Sequence, residues 1–281
     1  MSAPATTREG DVRTRAGSAV GGGWRSVTAY WLTVYRRIWK STVISSVLAP
    51  LLYLAGMGYG LGAIIDAPGR TAVPGVAYVG FVATGLVAAQ TMMTSVAETT
   101  YNVFGAIKWQ RTYHAMLASP LRVVDLVRGH VAYLALRLLM VSTAFALVAL
   151  ALGAMRGPAA LLTIPIAVLG GLAFGLPVYA YTAGTASDEG FNMLNRFVIM
   201  PLFLFSGTFF PISQLPVVLE WLAWASPLTH AITLTRAVGL GSPAPLPVEG
   251  WQAALHLAYL LAWAIGGYVF GVRRLRRRMV V

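Results

Sequence analysis

Six stretches of this sequence, at 41–65, 75–97, 131–155, 159–184, 191–208 and 251–272, are apolar and almost without charge. Crossing ~30 Å of hydrocarbon takes roughly 20 helical residues, and all six approach or exceed that length. Within lipid every backbone N–H and C=O must be satisfied internally. The expected fold is therefore all-α, a polytopic membrane protein with six transmembrane helices. A 57% hydrophobic and 11% charged composition agrees, and so does a mean hydropathy of +0.69, far outside soluble averages.

The net charge of +12 is confined to the ends of the apolar runs. Seven Lys and Arg precede the first span, four lie between the second and third, Arg196 follows the next inner loop, and five close the chain in the RRLRRR tail. On the opposite side fall Arg70, Arg156 and Arg236, with Arg137 inside the third span. Positive charge collects on the cytoplasmic side, so both termini are expected there, in the inner membrane. Such a distribution signals topology and lipid headgroup contact, and excludes nucleic acid as a partner. There is no cysteine, hence no disulfide or thiolate metal site. Residues 1–23 lack an apolar core, so no cleavable signal is expected, and they read as a disordered cytoplasmic tail.

Residues 24–40 place Trp24, Trp31, Tyr35 and Trp39 on one helical arc, and Arg25, Arg36, Arg37 and Lys40 on the other. A helix in the headgroup plane carries this pattern, with its aromatics in lipid; an amphipathic helix packed on a partner is the alternative. The longest polar interruption, 98–130, holds Lys108, Arg111, Arg122 and Arg128 against Glu98 and Asp125. Within it Phe104, Ile107, Tyr113, Met116 and Leu117 recur at helical spacing before Ser119-Pro120. A short cytoplasmic helix with one apolar side to offer a partner is expected there. Near the other face, 215–224 and 227–238 are apolar but too short to cross, and Pro211, Pro216 and Pro227 break them. They read as two outer helices, re-entrant in the outer leaflet, followed by a stiff link through Pro243, Pro245 and Pro247. The organisation is then a tail at 1–23, an interfacial helix at 24–40, a transmembrane domain at 41–272 and a basic tail at 273–281.

No phosphate-binding GxxxxGK[ST] loop occurs, so the chain cannot hydrolyse ATP by that route. No HExxH, Cys/His metal spacing or Ser/His/Asp set indicates catalysis, and neither a catalytic nor a metal site is expected. Asp66 and Glu98 lie at span ends, which leaves the span centres without the carboxylate that ion-coupled carriers commonly use. Arg137 either meets an anionic or hydroxylated substrate along a path through the protein, or snorkels or pairs with a carboxylate such as Glu98; the second reading is the plainer. Small residues four apart, in the glycine run at 56–62, at Gly171/Gly175 and at Gly267/Gly271, suggest close helix approach.

Three segments carry a resemblance: MLASPLRVVDLVRG at 116–129, SGTFFPISQLP at 206–216 and ASPLTHAITLTR at 225–236. With them the chain after residue 23 resembles the permease subunits of bacterial ABC exporters of the second class (ABC-2 type), in particular those of nodulation-factor and daunorubicin-type drug exporters. The resemblance implies a membrane subunit that is not itself an ATPase. It further implies two copies of a separate ABC ATPase subunit, with ATP and Mg held there, and a second permease copy, identical or homologous. A coupling helix would fall at 108–118, giving Lys108, Arg111, Thr112, Tyr113, His114, Met116 and Leu117 the contact with the ATPase. A second contact would use Ser187, Asp188 and Glu189, and 24–40 would be a gate-like interfacial helix. Members often place an acidic residue after the Arg-Thr of the coupling helix, whereas Tyr113-His114 follows Arg111-Thr112 here. Export of a drug, glycolipid or lipo-oligosaccharide is the expected function, with a gradient-driven efflux carrier as the alternative.

Overall fold

The computed structural model describes residues 22–66, 75–240 and 248–279, and among these there are helices and no strand. The tail up to residue 21, Arg70 and the prolines at 243, 245 and 247 lie outside the described residues. Helix α1 (Gly23–Tyr53) runs on through a π-helical stretch, Leu54–Leu61, and a last turn, Gly62–Ile65. No helix end separates 24–40 from the first span: the aromatic segment and the crossing form one continuous rod. Pro50, which cannot donate to the preceding turn, precedes the switch to π geometry.

Among the described residues, five helices are long and apolar enough to cross a membrane: Thr42–Ile65, Tyr78–Trp109, Val123–Ala151, Pro158–Gly184 and Gly250–Met279. The stretch expected as a crossing at 191–208 is different. It is one unbroken helical run of three parts, α6 (Glu189–Leu194), a π turn (Asn195–Ile199) and α7 (Met200–Phe205), of six, five and six residues. At 1.5 Å per residue these reach only about 25 Å. The chain leaves helix at Ser206, and Gly207 takes φ 89, a conformation open to glycine.

α2 (Tyr78–Thr99) is the axis of the bundle. In its most apolar window 78% of residues are buried inside the protein, against 22% for Thr42–Ile65 and for α10 (Gly250–Met279), which lie at the periphery. Small residues on α2 permit this: a Cβ at Gly85 would strike the Thr208 carbonyl, and one at Gly80 the Ala154 carbonyl. α1 packs on α4 (Val123–Ala151), α5 (Thr163–Gly184) packs on α2, and α10 lies along α5. The small-residue pairs act as anticipated, since a Cβ at Gly267 would overlap Pro177 and one at Gly175 would overlap Ser95. α10 stays helical to Met279, so the basic residues Arg273 to Arg278 are its last two turns and not a free tail.

Of the two short helices expected on the outer side, α8 (Val217–Trp224) is peripheral, with Trp221 75% exposed. α9 (Pro227–Gly239) is buried between α2 and α5. Ser226 caps it by accepting from the Leu228 N–H at 3.2 Å, Pro227 opens it, and Thr235 donates to the Thr84 carbonyl at 2.8 Å. Arg236, counted on the outer side by charge distribution, is buried in the protein. It donates to the carbonyls of Gly207 (2.8 Å) and Phe81 (3.2 Å) and lies over the Phe81 ring, fixing the irregular backbone after α7.

Candidate functional site

The helix of α2 outlasts its apolar run. After a pause at Thr100 it continues through Tyr101–Phe104 and the π turn Gly105–Trp109, giving a 32-residue helical segment. That is about 48 Å, longer than the ~30 Å hydrocarbon slab, and its far end is packed, with Val103, Phe104, Ala106 and Ile107 buried and Lys108 and Trp109 exposed. The chain then turns at Arg111, whose φ of 52 makes it, among the described residues, the non-glycine residue with left-handed backbone. Such a conformation is uncommon for a long side chain and marks a constrained turn. α3 (Thr112–Leu117) follows. The helix expected at 108–118 is thus two pieces, Lys108 on the end of the α2 segment and Thr112 to Leu117 on α3, with Arg111 as the corner.

The apolar side of α3 faces inward. Tyr113 is fully buried, edge-on to Trp31 at 6.5 Å, within the cluster that includes Tyr179, Tyr133 and Leu126. Met116 and Leu117 pack against the same cluster. The expectation that this side is offered to a partner is therefore corrected, because six residues of helix do not hold without tertiary contact and Tyr113 supplies it. Burial pushes the Tyr113 hydroxyl well above its ordinary pKa, and it stays neutral. The hydroxyls of Tyr113 and Tyr179 and the Trp31 indole nitrogen are buried in this cluster without a hydrogen bond of ordinary geometry. Exposed on α3 and its flanks are Trp109, Arg111, His114, Ala115, Ala118 and Ser119, while Thr112 is half-buried.

The second expected contact segment adjoins the first. Lys108 Nζ donates to the Ala186 carbonyl at 2.6 Å, and the Phe191 ring stands edge-on to Tyr101 (5.2 Å) and Phe104 (5.5 Å). Ser187 and Glu189 are exposed there and Asp188 is half-buried. Lys108, Arg111, Thr112, His114, Ser187, Asp188 and Glu189 thus belong to two segments locked to each other.

α1 completes the assembly from the other side. Trp31 stacks on Tyr133 at 5.6 Å and stands edge-on to His130 at 5.0 Å; Thr28 donates to the Gly129 carbonyl at 3.1 Å. A Cβ at Gly129 would overlap Val27 and the Trp24 carbonyl, so this glycine admits α1 against α4. Trp31 and Tyr35 therefore face protein and not lipid, which corrects the reading of a lipid-embedded aromatic face. Trp24 is half-buried; Arg36, Arg37 and Trp39 are exposed.

Arg137 pairs with Glu98, Nε to Oε1 at 3.1 Å, while its Nη1 reaches the Tyr35 hydroxyl at 3.4 Å. Glu98 also accepts from Tyr133 (3.1 Å) and Asn102 (2.8 Å). The plainer of the two sequence readings of Arg137 is the one realised. Glu98 lies one residue before the end of α2 at Thr99, as its place at a span end anticipated, and is buried there. Both charges are buried and multiply hydrogen-bonded, the condition under which an ion pair inside a protein is tolerated. Nothing in the sequence singled out Tyr133 or Asn102, since the cluster is assembled from three segments, α1, the α2 segment and α4.

Comparison with known proteins fits this arrangement. Residues 24–240 match the ABC-2 type transporter family. The chain is 36% identical over 257 residues to nodulation protein J of Rhizobium leguminosarum bv. trifolii, covering 89% of this chain and 94% of that one. It is 34% identical over 265 residues to nodulation protein J of Rhizobium meliloti strain 1021, covering 92% and 95%. To the inner membrane transport permease YadH of Escherichia coli K12 it is 22% identical over 248 residues, covering 86% and 94%. The chain belongs to the ABC-2 type transporter family.

Proposed function

We propose that this protein is the membrane-spanning permease of an ATP-driven exporter, and that the unit formed by α3, the end of the α2 segment and the 187–190 loop receives the stroke of a separate ATPase. The observation that carries this reading is mechanical. Lys108 ties the α2 segment to the second inner loop, and that segment is continuous with the central helix of the bundle. A push on the exposed side of α3 is therefore transmitted to the most buried helix of the protein. Packed elements of this kind move as units between discrete arrangements and do not flex continuously.

In this reading both termini are cytoplasmic and 191–208 completes a sixth crossing when a second permease copy covers it. Met193 and Phe197, 67% and 68% exposed, await such cover or lipid. Two ATPase copies bind ATP and Mg, and the cargo is hydrophobic or amphipathic, a drug, glycolipid or lipo-oligosaccharide. A gradient-driven carrier needs a carboxylate free to take a driving ion. Glu98 is engaged by Arg137 and Asp125 by Arg122, at 3.1 and 3.4 Å.

Reconstitution tests the proposal. Vesicles holding this chain and its ATPase should export a fluorescent amphipath only with ATP and Mg, and an ATPase-dead variant should abolish it. Export driven by a proton or sodium gradient without the ATPase would establish the carrier instead. Single cysteines at Ser119 and Ser187 should react with an impermeant thiol reagent from the cytoplasmic side alone, and one at Gly157 from the outer side alone.

A further inference from the structure

A groove runs along the outer surface of α10 where it crosses α5. It holds a cavity of about 510 Å³ lined by Pro177, Tyr181, Trp263, Gly266, Phe270 and Arg274 among others. That volume lies in the roughly 300 to 1,000 Å³ range of small-molecule sites. A second hollow of about 410 Å³ shares Pro177, Tyr181 and Trp263 with it and continues under α8. Both walls are apolar except at one end. There Arg274 also belongs to a hollow of about 500 Å³ with three arginines on its wall, lined by Gly184, Thr185, Ala186, Arg274, Arg277 and Arg278.

The three arginines are not equivalent. Arg278 is occupied: its Nη1 donates to the carbonyls of Thr185 (2.7 Å), Ala183 (3.2 Å) and Thr182 (3.4 Å), capping the end of α5. Arg274 and Arg277 are exposed and form no ion pair with a carboxylate of the described residues, Asp188 and Glu189 included. Along α10 the groove extends from Tyr259 to Arg274. Fifteen residues of helix rise about 22 Å. A bilayer measures about 40 to 45 Å with its headgroups, so one leaflet measures about 20 to 22 Å. The groove is one leaflet long, apolar for the length of a chain and cationic at the headgroup end.

We infer that this groove is a binding site for one anionic phospholipid, with an acyl chain along Trp263, Gly266 and Phe270 and the phosphate held by Arg274 and Arg277. The charge is what selects the occupant. An uncharged amphipath or a second protein copy would fill the apolar part and leave two neighbouring guanidinium groups without counter-charge, whereas a phosphodiester supplies it with oxygens suited to guanidinium donors. Neither the orientation of the chain nor ATP coupling is needed for this site to exist.

The floor offers a clean block. A Cβ added at Gly266 meets nothing within 4 Å, so a larger side chain there fills the groove and not the protein, and replacing glycine raises helix propensity. The test uses the full chain in phosphatidylcholine vesicles in which either phosphatidylglycerol or part of the phosphatidylcholine carries brominated acyl chains, at equal mole fraction. Quenching of Trp263, taken as the difference between the wild type and Trp263→Phe, reads occupancy. Brominated phosphatidylglycerol should quench more than its phosphatidylcholine counterpart, by about fivefold in relative affinity for each arginine engaged. Arg274→Gln with Arg277→Gln should abolish the preference, and Gly266→Leu should lower quenching by both lipids while the thermal melt stays that of the wild type. Equal quenching by the two lipids would mean an ordinary lipid boundary and overturn the inference. Absence of quenching by either would mean that protein covers the groove, and would overturn it too. Undiminished quenching in Gly266→Leu would remove the acyl seat.

Discussion

Replacing Tyr113 separates its two contributions to the inner unit. It is the one residue of α3 that is fully buried, and its ring fills the space beside Trp31. Truncating a buried aromatic side chain to alanine costs about 3 to 5 kcal/mol. A helix of six residues has no stability of its own to offset that loss. Tyr113→Ala should therefore release α3 before the long helices, which Tyr113 meets only through the cluster that holds Trp31, Leu126, Tyr133 and Tyr179. Since each 1.4 kcal/mol is tenfold, hydrogen exchange over residues 108–121 should accelerate by about a hundredfold or more. Tyr113→Phe removes only a hydroxyl that makes no ordinary hydrogen bond, so it should leave exchange unchanged or slower. The assay is exchange mass spectrometry on the purified protein, with peptides from α2 and α5 as internal references. Unchanged protection of α3 in Tyr113→Ala, or a loss in Tyr113→Phe as large as in the alanine variant, would refute the anchoring role.

Glu98→Gln or Arg137→Leu alone leaves one buried charge unpaired and should cost about 3 to 5 kcal/mol, whereas the double variant should recover much of that, as read from thermal melts. Arg111→Gly should stabilise the corner by about 1 kcal/mol or more, since a left-handed conformation costs other residues roughly 1 to 2 kcal/mol; chemical denaturation checks it. Acid should loosen the joint between α9 and α10, where the Nδ1 atoms of His230 and His256 meet at 2.6 Å. Burial holds His230 below its ordinary pKa of 6.5, so the unfolded chain takes up the proton first and stability is lost as pH falls from about 6.5 through the lower folded value. The melting temperature should drop between pH 7 and pH 5, and His230→Gln should flatten that dependence.

The sequence revealed, among the described residues, the all-helical fold and five helices long and apolar enough to cross a membrane, through apolar length, a signal that is local and strong. It read boundaries poorly. Helix propensity does not stop where hydrophobicity does, so the α2 segment continues through polar residues to Trp109, and α1 has no break at Ser41. The helix within 191–208 ends at Phe205, because the chain leaves helix from Ser206, where Arg236 donates to the Gly207 carbonyl, so apolar length alone overstated its helical extent. Helical spacing identified Tyr113, Met116 and Leu117 as one face of α3, yet periodicity cannot say whether a face meets the protein or a partner. The aromatic arc of α1 posed the same question. Its answer lay in Gly129, about a hundred residues away in sequence. The left-handed corner at Arg111 had no sequence signal, because arginine seldom adopts that conformation.

The central claim is that a separate ATPase engages the exposed side of the inner unit. Site-specific photocrosslinking decides it most directly, with the crosslinker placed in turn at His114 and Ser119, exposed on and just after α3, at Ser187 in the second inner loop, and at Leu219 on α8 as a control. In membranes containing the cognate ATPase, His114, Ser119 and Ser187 should capture it and Leu219 should not, with yields that change when ATP and Mg are added. Capture at Leu219 but at none of the three inner positions, or export that proceeds while no inner position captures an ATPase, would contradict the account.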